Sequence, residues 1–174
     1  MQKEFQINLP LECADEIDKI ISKLDPKREI DIIFSDCSIH SMWMGVEPSG
    51  KIRPIVVQTQ LMEKNRVLHH LIHEISHILV YKSYESRHDY EEFFDKFGYL
   101  LEYKVEKTVR KFCKKENLID ALRGSNQWCE FNIKNEGRLL GFHGANGSEW
   151  TGYLTLPYIY ASKRIMREEK ECFC

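Results

Sequence analysis

Between Asn65 and Lys82 the apolar residues Leu68, Leu71, Ile72, Ile75, Ile78 and Leu79 recur at the i, i+3, i+4, i+7 spacing of one helical face. That pattern commits the stretch to an amphipathic helix, with Asn65 as the N-cap residue type. The same helix carries His73-Glu74-Ile75-Ser76-His77. With Leu68 as angular origin and about 100° per residue, the apolar stripe centres near roughly 340°, while His73 and His77 fall at about 140° and about 180°. The histidines face away from the stripe. One face is expected to pack on a core and the other to look into a cleft.

The flanking segments supply that core. A short amphipathic stretch from Leu11 to Leu24 is broken by Asp25-Pro26, and Ile30 to Ser35 then reads as an isoleucine-rich strand. Extended segments follow at Ile39 to Val46 and, after the turn residues Glu47-Pro48-Ser49-Gly50, at Ile52 to Leu61 with its run Ile55-Val56-Val57. A sheet of about three strands is expected. A second helix is expected to open at Asp89 with Glu92 as capping-box partner, and to run about seven turns with Tyr90, Phe93, Phe94, Phe97, Leu101, Val105, Val109 and Phe112 on one face. Beyond Gly124 the pattern loosens. Trp128 to Ile133 and Arg138 to Phe142 read as a hairpin around Asn135-Glu136-Gly137, followed by a loop and a last helix near Tyr158 to Lys170. The expected class is α+β, a small sheet packed on the histidine-bearing helix and a second long helix, with a less regular C-terminal region. Residues 1–174 are expected to form one domain with its core at about 30–112, and 124–174 to cover the cleft.

No apolar run reaches the roughly 18 residues of a membrane span, and the start, MQKEFQINLP, lacks the apolar core of a secretory signal. A cytoplasmic, intracellular location without membrane contact is expected. The six cysteines, Cys13, Cys37, Cys113, Cys129, Cys172 and Cys174, lack disulfide-scaffold or zinc-ribbon spacing, so reduced thiols are expected. The closing Cys172-Phe173-Cys174 holds two thiols that could ligate a metal, but a terminal tail is usually mobile, which works against a site.

Histidines four apart on a helix project from one face, so His73 and His77 can reach a single zinc ion at about 2.0 to 2.1 Å, with the Glu74 carboxylate beside a coordinated water. That is the arrangement of metal-assisted hydrolysis, with Glu74 as general base. A catalytic zinc takes a third protein ligand, and His88 is the expected one: the intervening residues let the chain leave the helix, turn and point back. Asp89 and Glu102 are the alternatives. His69 and His70 precede the motif by one turn. Three ligands from one straight helix do not readily converge on one ion, so His69 and His70 are expected at the surface or behind the ligands.

The motif His73-Glu74-Ile75-Ser76-His77, taken with His88-Asp89-Tyr90-Glu91-Glu92-Phe93 and the short sheet before it, resembles the minigluzincin-like metallopeptidases that include SprT-like, WLM and YgjP-like domains. The resemblance covers roughly residues 30 to 112. It implies a zincin-like fold, one catalytic Zn2+ held by His73, His77 and His88, and hydrolysis of peptide bonds in a protein or peptide substrate. It also implies, as one option, action on DNA-associated proteins. Lys104, Lys107, Arg110, Lys111, Lys114 and Lys115, with Lys163, Arg164 and Arg167, are the basic residues available for DNA, although glutamates are interleaved with both groups. The oxyanion needs a donor besides zinc, and Tyr153, Tyr158, Tyr160 and His143 are the candidates. A non-catalytic zinc module, or an enzyme acting on another amide, would use the same ligands. An intact Glu74 favours catalysis.

Overall fold

The computed structural model describes residues 13–35, 52, 54–58, 63–84, 86, 88–89, 92, 98–143, 149–153 and 156–171. Among them are five helices, a two-stranded parallel sheet and a separate antiparallel hairpin, an α-rich α+β arrangement. Helix α1 spans Ala14–Leu24, buries Ile17, Ile20 and Ile21, and carries Asp15 and Glu16 in its first turn and Lys23 in its last, as the helix dipole favours. Asp25 ends it. The Asp25 carboxylate accepts from the backbone N–H of Glu29 at 3.1 Å and of Ile30 at 2.8 Å, which turns the chain toward the sheet. Strand β1 (Ile32–Ser35) pairs in parallel with β2 (Ile55–Gln58), Ile32 opposite Ile55 and Phe34 opposite Val57. Among the described residues this sheet has two strands; the segment expected at Ile39 to Val46 lies outside them.

Helix α2 (Lys64–Lys82) is the axis of the molecule, and its stripe of Val67, Leu68, Leu71, Ile72, Ile75 and Ile78 is fully buried. Its opposite face is buried too. Asn65 does not cap α2: it sits inside the first turn, where its Nδ2 donates to Gln127 Oε1 at 2.7 Å and ties α2 to the helix above. Beyond α2, Ser86 and Asp89 cap each other, Ser86 N–H to Asp89 Oδ2 and Asp89 N–H to Ser86 Oγ, both at 3.1 Å. Asp89 is therefore the partner of the cap rather than its first residue. The helix expected to run on through Phe112 carries a 3-10 turn at Gly98–Leu100, which leads into α3 (Leu101–Glu116). Asn117, left-handed at φ 55°, closes α3, as Asn tolerates that region better than most residues.

Trp128 to Ile133 is not a strand. It belongs to α4 (Ile119–Lys134), because α4 packs along α2 more extensively than any other pair of elements pack, and that burial overrides the β preference of its aromatic and branched residues. The hairpin forms further on, β3 (Leu139–His143) with β4 (Glu149–Tyr153), Leu139 opposite Tyr153. The last helix, α5 (Leu156–Glu171), packs on α3 and α4, with Asn132 Nδ2 donating to Ser162 Oγ at 3.0 Å. Among the described residues no helix is long and apolar enough to cross a membrane. Cys13, Cys113 and Cys129 are buried and in no disulfide, and burial pushes the thiols of Cys113 and Cys129 up to about 12, so neither is a nucleophile near neutral pH.

Gly124 sets the distance between α4 and α2. A Cβ there would lie 2.1 Å from the Asn65 carbonyl oxygen and 2.7 Å from His69 Cβ. Backbone cannot yield as a flexible side chain can, so Gly124→Ala is expected to lower unfolding stability by about 3 kcal/mol, read as a lower urea midpoint at unchanged slope.

Candidate metal centre

On α2, His69, His73 and His77 form a row with four-residue spacing, and Glu102 and Glu106 form a second such row on α3. Packing of the two helices sets one row against the other. His73 Nε2 lies 3.2 Å from Glu102 Oε2, and His77 Nε2 lies 3.6 Å from Glu102 Oε1. Three donors around a tetrahedral zinc with bonds near 2.1 Å stand about 3.4 Å from one another, so this spacing suits one ion. Among the described residues, one donor atom from each of His73, His77 and Glu102 lies within 4.8 Å of the others, and all three residues are buried.

The second group, His69, His73 and Glu106, has similar spacing but other work. Glu106 is wholly buried and accepts from His69 Nε2 at 3.0 Å, from His73 Nδ1 at 3.1 Å and from Ser125 Oγ. Behind Ser125 stands Arg110, which donates to Ser125 Oγ and to Asn126 Oδ1 and is itself held by Glu169. Burial alone would raise the Glu106 carboxyl, yet the histidines beside it hold it far below the usual carboxylate range. A carboxylate on Nδ1 of a histidine whose Nε2 faces the ligand position fixes ring orientation and tautomer and strengthens the ligand.

His73 therefore has a carboxylate at each ring nitrogen. Burial pushes it down, but the hydrogen bonds to Glu102 and Glu106 win and raise it well above the ordinary histidine value. Carboxylates only accept, so the metal-free ring carries both protons. A metal at Nε2 must displace one. His77 differs, for burial outweighs the pull of Glu102 and keeps it lowered, hence ready to ligate without losing a proton. Glu74, next in sequence to His73, lies 3.3 Å through Oε1 from His70 Nε2; burial raises its carboxyl, but His70, His77 and His73 together bring it below its ordinary value.

The Trp128 ring lies 5.4 Å from that of His73 and 6.0 Å from that of His69, and Tyr158 meets Trp128 edge-on at 5.8 Å. Burial pushes the Tyr158 phenol up, and the charges of Glu102 and Glu74 add to it, which sets Tyr158 in the field of both. Its hydroxyl has no hydrogen bond among the described residues.

Of the residues singled out in the sequence, His73, Glu74 and His77 are together. His88 is not: it is exposed and belongs to neither group, while Asp89 is occupied with the Ser86 cap. Among the described residues the third donor within reach of His73 and His77 is Glu102, the alternative. The expected open cleft over the histidines is replaced by cover from α3 and α4, leaving His73 and His77 each 6% exposed. Tyr160 turns elsewhere, accepting from Arg164 at 2.9 Å and meeting Tyr99 edge-on. The side chains of His143 and Tyr153, and Cys172 and Cys174, lie outside the described residues. Glu106 and Ser125 carried no expectation, although the four-residue spacing of Glu102 and Glu106 was a visible signal; Arg110, expected as a basic surface residue, and Trp128, expected in a strand, instead stand behind and over the histidines. No protein-family model, curated protein or solved structure matches the chain.

Two outcomes follow from this geometry. Glu102→Ala should weaken zinc binding by about 10- to 100-fold or more while His88→Ala leaves it unchanged, measured by competition with a chromophoric chelator. Because His73 must release a proton, the affinity of the wild type in the same assay should rise with pH, by about tenfold per unit while the metal-free ring stays protonated.

Proposed function

We propose that this chain is a zinc-dependent metallopeptidase of zincin-like architecture, with His73, His77 and Glu102 as ligands and Glu74 as general base. The observation that supports it most is the buried meeting of two imidazoles and one carboxylate, a donor set of catalytic zinc sites, with a second carboxylate adjacent in sequence. The ion, when bound, lowers the pKa of a coordinated water toward about 7 and polarises the scissile carbonyl. Glu74 takes the proton of the attacking water and later gives it to the leaving amine. Tyr158, in the field of Glu102 and Glu74, donates to the oxygen on which negative charge develops. Glu106 holds the His73 ring in place, and Trp128 excludes water from the ligands.

The substrate class is a peptide bond in a protein or peptide. Six of the nine basic residues that a DNA-associated role would use have carboxylate partners: Lys107 with Glu168 at 3.6 Å, Arg110 with Glu169, Lys114 with Glu169 at 3.0 Å, Lys115 with Glu116 at 4.0 Å, Arg164 with Glu168 at 3.2 Å and Lys163 with Glu136. These pairings reduce the charge left for phosphates, so the proposal does not include nucleic acid. A non-catalytic zinc module would not need Glu74, and the substitution Glu74→Gln separates the two readings.

Elemental mass spectrometry of the purified protein should find one zinc per chain, absent in His73→Ala. Glu74→Gln should keep the zinc and lower cleavage of a quenched fluorescent peptide library by more than about 100-fold. Tyr158→Phe should lower kcat by about 100-fold with little change in KM. A wild type that takes up no zinc even on reconstitution would end the metallopeptidase reading, and full activity in Glu74→Gln would end the assignment of the base.

A further inference from the structure

His70 is the one histidine of α2 outside the rows already described: it belongs to neither histidine–glutamate group. It stands four residues before Glu74, so the two side chains share a face, and its Nε2 lies 3.3 Å from Glu74 Oε1. The other ring nitrogen, Nδ1, is buried and has no hydrogen-bond partner among the described residues. A neutral imidazole has one N–H. Placed on Nδ1 that hydrogen would be an orphaned buried donor; placed on Nε2 it meets a carboxylate oxygen. The surroundings thus select the Nε2–H tautomer, which stands within ion-pair distance of Glu74.

We propose that His70 is a positioning residue for the general base, an inference that rests on the metallopeptidase reading above. Glutamate has a flexible stem, and a free carboxylate would spread over several orientations beside the ligands. The His70 donor ties Oε1 in place, and the Glu74 backbone is already fixed by α2. One oxygen is then committed and the other is the proton acceptor. In the reaction, the proton leaving the attacking water goes to Oε2, since Oε1 already accepts from His70, and from Oε2 it passes to the leaving amine. His70 itself neither gains nor loses a proton. Its partial exposure, 24% for the side chain, sets it at the edge of the buried group rather than among the ligands.

The test compares wild type, His70→Ala and His70→Gln on the best-cleaved member of a quenched fluorescent peptide library, with zinc content measured for each. His70→Ala should lower kcat by about 10- to 100-fold with KM and zinc stoichiometry unchanged, and His70→Gln, whose amide can donate in place of Nε2, should recover to within about threefold of wild type. Activity of His70→Ala within twofold of wild type overturns the inference, as does a loss that His70→Gln leaves unrepaired. A second readout needs no turnover: nitrogen-15 shifts of His70 in the zinc-free protein should report the Nε2–H tautomer, and a mixture of tautomers in Glu74→Leu. A dominant Nδ1–H tautomer in the wild type overturns the inference. Should the zinc-loaded wild type cleave no peptide while the Nε2–H tautomer is present, the metallopeptidase reading falls and the His70–Glu74 pairing stands.

Discussion

A carboxylate with no exposure to water must be compensated by donors, because removing an ion from solvent costs several kcal/mol that only well-placed partners offset. Glu106 is that carboxylate, and it joins three helices: α3 carries it, and its donors come from two others, His69 and His73 from α2 and Ser125 from α4. Arg110 extends the arrangement outward to Asn126 and to Glu169 of α5. The relative placement of α2, α3 and α4 is thereby defined by hydrogen-bond geometry as well as by apolar contact. Apolar packing alone tolerates sliding by a turn; a buried carboxylate with directional donors does not.

The same requirement organises the proposed centre. Glu106 occupies Nδ1 of His73, so Nε2 is left to face Glu102 and His77. The row of three histidines is divided between two tasks, His69 with Glu106 and His77 with Glu102, while His73 joins both. Without a metal, the hydrogen bonds to Glu102 and Glu106 hold His73 well above its ordinary value. A metal ion bound there would take the place of a proton, with His73, His77 and Glu102 as the residues that would hold it.

Close approach of α4 makes this possible. Gly124 lets the α4 backbone come down on Asn65 and His69, and the helix then places Ser125 against Glu106 and Trp128 over the histidine rings. A larger residue would lift α4 and with it both the hydrogen bond and the aromatic cover. The isoleucine- and leucine-rich stripe on the other side of α2 packs toward α1 and β2, so the central helix is held from both sides and its side-chain rows have little room to drift.

The helix at 64–82, the apolar stripe, the strands at β1 and β2 and the grouping of His73, Glu74 and His77 were all legible in the chain, because they rest on periodicity within one short segment. The break at Asp25 and the final helix were legible for the same local reason. The third donor was not. His88 is near His77 in sequence, but Glu102 is near it in space, and only the packing of α3 on α2 decides between them. Trp128 to Ile133 reads as a strand because aromatic and β-branched residues favour one, and becomes helix because α4 buries more against α2 than a strand could there. Gly124, a breaker by local rules, is a contact point by tertiary ones. Local pattern determined which side chains lie on which face of α2; what those faces meet depends on residues distant along the chain, brought together by burial and by the need to compensate Glu106.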